Sequence, residues 1–133
     1  MISLSATIAA HGAHTMERAR EIRRDAFIKT GQEIIDGTPI KTGWARGNWQ
    51  TSVGEAMTNV LPVRPASEAK TELAAIADEA LADQTLVLAN NAPHIVRLEY
   101  GWSAQAPEGM FRLAILKWDD NVAAAASQQG VGK

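Results

Sequence analysis

The stretch QTLVLANN, residues 84–91, is short and leucine-rich, carries the β-branched Thr85 and Val87, and ends on an asparagine pair that suits a turn. That is the pattern of a central strand. Upstream, EAKTELAAIADEALAD (68–83) sets Ala69, Leu73, Ile76, Ala77 and Leu81 at helical spacing behind Ser67, an expected N-cap. Its alanine content suits close packing against a sheet. The preceding EAMTNVLPVRPAS (55–67) contains two prolines and reads as a connection.

Further back, WARGNWQTSVG (44–54) alternates, with Trp49, Thr51 and Val53 on one face and Asn48, Gln50 and Ser52 on the other, so a half-buried strand is expected. TMERAREIRRDAFIKTGQEIID (15–36) spaces Met16, Ala19, Ile22 or Arg23, Ala26, Phe27, Thr30 and Ile34 by threes and fours. This is an amphipathic helix with a charged outer face and Thr15 as a plausible N-cap; Ile8 and its neighbouring alanines extend it toward Ser5 if Gly12 is tolerated. It must end near Gly37, because Pro39 cannot continue a helix and pushes Thr38 toward extended backbone. Beyond the central strand, a last helix is expected from near Glu108, carrying Phe111, Leu113 or Ala114, Ile115 and Trp118, with residues 122–133 as a frayed tail. The expectation is a single α+β domain over 1–133: a small, mostly antiparallel sheet packed by a long N-terminal, a middle and a C-terminal helix.

Composition bounds the function. The chain has 133 residues, 46% hydrophobic and 21% charged, enough for one core without staples. A net charge of −2 leaves no basic footprint for duplex nucleic acid, and the absence of cysteine removes disulfide and thiol chemistry. The first twenty residues lack the form of a secretion signal, and no stretch is long and apolar enough to span a bilayer, so a soluble chain with no membrane partner is expected.

Chemical signals are sparse. His11, His14 and Glu17 are spaced by three, close enough on a helix to share a zinc ion, which would suit a small metal-dependent hydrolase. Solvated histidines are the simpler reading, since catalytic zinc helices pair ligands at i and i+4. Glu99 would serve as a general acid only if buried beside another carboxylate, and Asp119 with Asp120 reads as a solvated face. There is no nucleophile elbow and no phosphate-binding glycine loop, so neither catalytic residues nor a metal or cofactor is expected. Lys41, Trp44, Arg46 and Trp49 interleave cations with aromatics as single-strand-binding modules do. Two cations in an acidic chain make little field, and a turn leading into a strand, with tryptophans packed on the sheet or anchoring a protein contact, is preferred.

The order of the motifs carries more information. TPIKTGWARGNWQTSVG (38–54), followed by NNAPHIVRLEYGWSAQAPEGMFRLAI (90–115), resembles the tail-completion or neck proteins that join heads to tails in long-tailed bacteriophages. The matching positions are Thr38, Pro39, Thr42, Gly43, Arg46, Asn48 and Trp49, then Asn90, Pro93, Leu98, Glu99, Gly101, Gln105, Ala106, Pro107, Gly109 and Met110. His94 departs from the tyrosine usual in that family, and Trp44 from a smaller or basic residue. The resemblance implies a structural virion protein without catalytic activity, assembled in the host cytoplasm and located at the neck. It implies a homo-oligomeric ring meeting tail terminator or tail tube and head-connector proteins, near phage DNA without binding it specifically. It also implies that Glu99 accepts hydrogen bonds from backbone N–H groups or from Arg46, and that Trp102 to Met110 is a projecting, glycine-hinged docking loop.

Overall fold

The computed structural model describes residues 1–7, 13–40 and 43–128, the side chains of residues 13 and 14 excepted. Along the chain run β1 (Ile2–Ala6), α1 (Ala13–Gly37), α2 (Trp44–Gly47), β2 (Trp49–Val53), α3 (Ala66–Glu79), β3 (Leu86–Asn90), α4 (Ile95–Glu99), α5 (Phe111–Leu116) and α6 (Trp118–Gln128). The strands form one antiparallel sheet in the order β1-β3-β2, making this an α+β fold. β3 is the central strand expected of residues 84–91. All five of its residues are buried, because both edges are paired and both faces are covered.

The long helix α1 buries one stripe, Arg23, Ala26, Phe27, Thr30, Ile34 and Ile35, as its spacing requires. Gly31 lies on the same stripe, where a Cβ would sit 2.6 Å from the Leu73 side chain, so glycine is what lets α3 approach this closely. On α6, Asn121 donates to the Thr30 hydroxyl at 2.9 Å and fastens the last helix to α1. After Gly37 the Thr38 hydroxyl donates to the Ile34 carbonyl at 2.7 Å and accepts the Trp49 indole N–H at 2.8 Å. One buried hydroxyl thus ends α1 and anchors the first residue of β2.

β2 has no strand on its outer side, and side chains take that role. Thr51 N–H donates to Glu72 of α3 at 3.0 Å, while the Arg64 guanidinium donates to the Trp49 carbonyl at 2.9 Å and the Gly47 carbonyl at 2.6 Å. An Arg64–Glu72 ion pair at 3.1 Å closes the edge. Asn48 works the same way: its amide donates to the Leu61 carbonyl at 2.9 Å and accepts the Leu61 N–H at 2.9 Å. Asn48→Ala strands the Leu61 N–H, while the Leu61 carbonyl keeps the Trp44 indole N–H at 2.7 Å, and is expected to cost about 1–2 kcal/mol, read as a lower urea midpoint with an unchanged slope. A change under about 0.5 kcal/mol would show that the clamp contributes little.

Several sequence expectations are corrected. Residues 2–6 form a strand rather than a helix reaching back to Ser5, since pairing with β3 outweighs local propensity; Ile2, Leu4 and Ala6 turn inward while Ser3 and Ser5 face out. α1 is already helical at Ala13, two residues before Thr15, and the extension through Ile8 lies outside the described residues. Residues 44–47 are a helical turn, so β2 starts at Trp49, and Asn48 is buried as the C-cap of that turn instead of facing outward on a strand. Pro65, not Ser67, precedes α3. α3 stops at Glu79 and leaves Leu81 61% exposed, because Gln84 bonds both main-chain groups of Leu81 and Arg23 caps the Ala80 and Leu81 carbonyls. The last helix begins at Phe111 rather than near Glu108 and is interrupted at Lys117, whose N–H bonds the Ala114 carbonyl in a tightened turn. The alanine run expected to fray is helical to Gln128 with Ala125 buried; residues 129–133 lie outside the described residues.

Candidate functional site

Antiparallel pairing sets Trp49, the first residue of β2, opposite Asn90, the last of β3. The turn leading into β2 and the chain leaving β3 therefore emerge from the same end of the sheet. Two side-chain amides tie them together. Asn90 donates to the Ala45 carbonyl at 2.8 Å, and Gln105 bonds both main-chain groups of Ile40, accepting its N–H at 2.8 Å and donating to its carbonyl at 2.9 Å. Between these ties lies a cleft of 720 Å³ lined by Pro39, Gly43, Trp44, Ala45, Ala92, Pro93, His94, Arg97, Leu98 and Trp102 to Gln105.

The far wall is held by Glu99, the last residue of α4, which is 4% exposed. One carboxylate oxygen accepts the N–H groups of Met110 at 3.0 Å and Phe111 at 2.8 Å. The other accepts the Arg112 N–H at 3.0 Å and its guanidinium at 2.7 Å. Donors left over at the start of α5 are thus satisfied by a residue from another helix. Burial pushes the Glu99 carboxyl up, but the three backbone N–H groups and the guanidinium outweigh it and hold the group below its ordinary 4.5. At neutral pH Glu99 is an ionised structural acceptor, held by a cation and three N–H donors rather than set beside a second carboxylate.

Close backbone approaches complete this wall. Gly109 has φ 82° and Gly101 φ 87°, left-handed conformations suited to glycine. A Cβ on Gly109 would collide with the Glu99 carbonyl, and one on Gly101 with that of Pro107. On the outer surface two arginines lie over exposed aromatic rings, Arg97 5.0 Å from the Trp102 ring centre and Arg112 4.7 Å from that of Tyr100.

Of the residues singled out in the sequence, Pro39, Gly43, Trp44, Pro93, Leu98, Trp102 and Gln105 meet around the cleft. Trp49 and Met110 are core, and Asn48 is the Leu61 clamp. Thr42 and Lys41 lie outside the described residues. Arg46 does not reach Glu99; its guanidinium donates to the Thr38 carbonyl at 2.8 Å and the Asp36 carbonyl at 2.9 Å, where it caps the end of α1. The segment 102–110 is turn-rich, with Ala106, Gly109 and Met110 buried, so Trp102 projects but the whole loop does not.

For the histidine cluster, His11 and the His14 side chain lie outside the description, and Glu17 accepts from Arg20 at 2.9 Å. Among the described residues no three histidine or acidic side chains gather as a metal site, and no helix is long and apolar enough to cross a membrane. Arg97, Arg112, Arg64 and Glu72 were not singled out in the sequence. Arg112 and Glu72 act between separate elements, and no local pattern marks them; the signal for Arg97 is an arginine one turn before Tyr100 and Trp102, whose exposure only the structure shows. Comparison with protein-family models, curated proteins and solved structures finds no match.

Proposed function

We propose that this chain is a structural protein of a bacteriophage neck, which completes the tail and helps join it to the head through contacts with copies of itself and with tail and connector proteins. The observation that carries the proposal is the meeting of two separated motif segments, 38–49 and 90–110, around one cleft beside exposed Tyr100 and Trp102, which are 65% and 71% exposed. The motif residues mostly build and brace a surface: amides clamp backbone, glycines admit close carbonyls, and Glu99 is consumed as a structural acceptor. Exposed tryptophan and tyrosine rings, each with an arginine over it, have the composition of interface anchors. The single-strand reading draws less support, because Arg46 is engaged with carbonyls and the Trp44 indole N–H with Leu61 at 2.7 Å.

Loss of the gene from its phage is expected to leave filled heads and finished tails that stay apart. Purified protein should then join them, scored by electron microscopy and plaque titre. Infectious particles assembling at normal titre without the protein would refute the proposal.

A further inference from the structure

We infer that the cleft beside Trp44 and Trp102 docks an acidic segment of a partner protein, a carboxylate meeting Arg97 while an adjoining bulky apolar side chain enters the cleft. The inference rests on the reading that this face meets another protein, and it names the chemistry of what is met.

Charge complementarity carries it. Arg97 and Arg112 are each stacked on an aromatic ring, yet only Arg112 is neutralised, by Glu99 at 2.7 Å. Among the described residues Arg97 has no ion-pair partner, and none of those lining the cleft is acidic. An otherwise acidic protein of net charge −2 thus holds an uncompensated guanidinium at the rim of an indole-walled cleft. A guanidinium lying over a ring keeps its edge N–H groups available, and that edge matches a carboxylate in a paired geometry.

The remaining lining suits a side chain rather than water. Pro39, Pro93, Ala45 and Ala92 are short or rigid, so little side-chain freedom is lost when they are covered. The Gln105–Ile40 bonds fix one wall and the Glu99 cluster the other, which lowers the ordering cost of binding. A polynucleotide is the poorer occupant, because backbone-tracking sites require several cations and the described lining offers only Arg97 beside His94.

The test uses the full chain labelled with nitrogen-15 and reads the indole N–H signals of its four tryptophans. N-acetyl-Asp-Phe-Asp-amide, added to millimolar concentration, is expected to move the signals of Trp44 and Trp102. Trp49, bonded to Thr38 in the core, should stay still. Arg97→Glu should weaken the apparent affinity about tenfold or more, the loss expected for one charge-assisted contact. Trp102→Ala should weaken it without shifting the unfolding midpoint. The inference is overturned if the signals do not move, if Arg97→Glu binds the peptide as well as the parent chain, or if N-acetyl-Lys-Phe-Lys-amide or oligothymidylate acts at lower concentration. Head–tail joining is scored on particles, so a flat peptide titration with joining intact rejects the occupant and leaves the neck role standing.

Discussion

Glu99→Ala is expected to destabilise the fold by about 3 kcal/mol or more, since it strands the N–H groups of Met110, Phe111 and Arg112 together, each worth about 1 kcal/mol. Arg112 adds less, because its side chain is 54% exposed and water replaces much of what the carboxylate supplied. Glu99→Gln keeps an oxygen for one pair of donors but turns an NH2 group toward Arg112, so it should fall between the two. The effect carries a pH signature. Because the folded carboxyl is held below its ordinary 4.5, the unfolded chain takes up the proton first as pH falls. The stabilisation is therefore complete above 4.5 and drains away as pH drops through the lower folded value. Urea midpoints measured from pH 7 downward should show the gap between parent and Glu99→Gln narrowing across that window. A gap independent of pH would mean that the charge on Glu99 does not carry the interaction.

Trp49→Ala is the second large loss. The residue is fully buried, stacks on Phe111 with ring centres 6.3 Å apart and planes 6° from parallel, and donates to Thr38. Removing the indole should cost about 3–5 kcal/mol through lost transfer energy and the remaining cavity. Trp49→Phe should recover most of that and lose the hydrogen bond, worth about 1 kcal/mol. The informative comparison is Trp102→Ala, which should change stability by less than about 0.5 kcal/mol because the ring is 71% exposed. Thermal or urea unfolding of the three variants decides the matter; equal losses at Trp49 and Trp102 would contradict these assignments of core and surface.

The two tryptophans mark how far the sequence could be read. Each sits in a motif segment among glycines and an arginine, and composition gives both the same meaning. Alternation set Trp49, Thr51 and Val53 on one face of a half-buried strand, yet Gln50 is also buried and Val53 is 39% exposed, so a period of two did not separate core from surface in β2. No comparable period runs through 91–110, where α4, the turns and the Glu99 cluster follow one another too quickly. Glu99 was read as an acceptor of backbone N–H groups, but Arg46 was offered as its cationic partner. The actual partner, Arg112, is only thirteen residues away, yet it reaches Glu99 only once α4 and α5 are folded. Arg46 is used instead at the end of α1, where exposed carbonyls draw a cation.

Local patterns were sufficient for the long helix, the middle helix, the central strand and the α+β class, because periodic burial is written into neighbouring residues and needs no knowledge of what covers them. The strand at residues 2–6 and the cleft itself depend on partners dozens of residues apart, and the substitution of Arg64 and Glu72 for a missing neighbour of β2 on partners 15 and 21 residues away, beyond the reach of local periodicity. Such features are products of chain closure. Pairing energy and the demand that buried N–H and carbonyl groups find partners override local preference there, and those terms exist only once the distant segments have met.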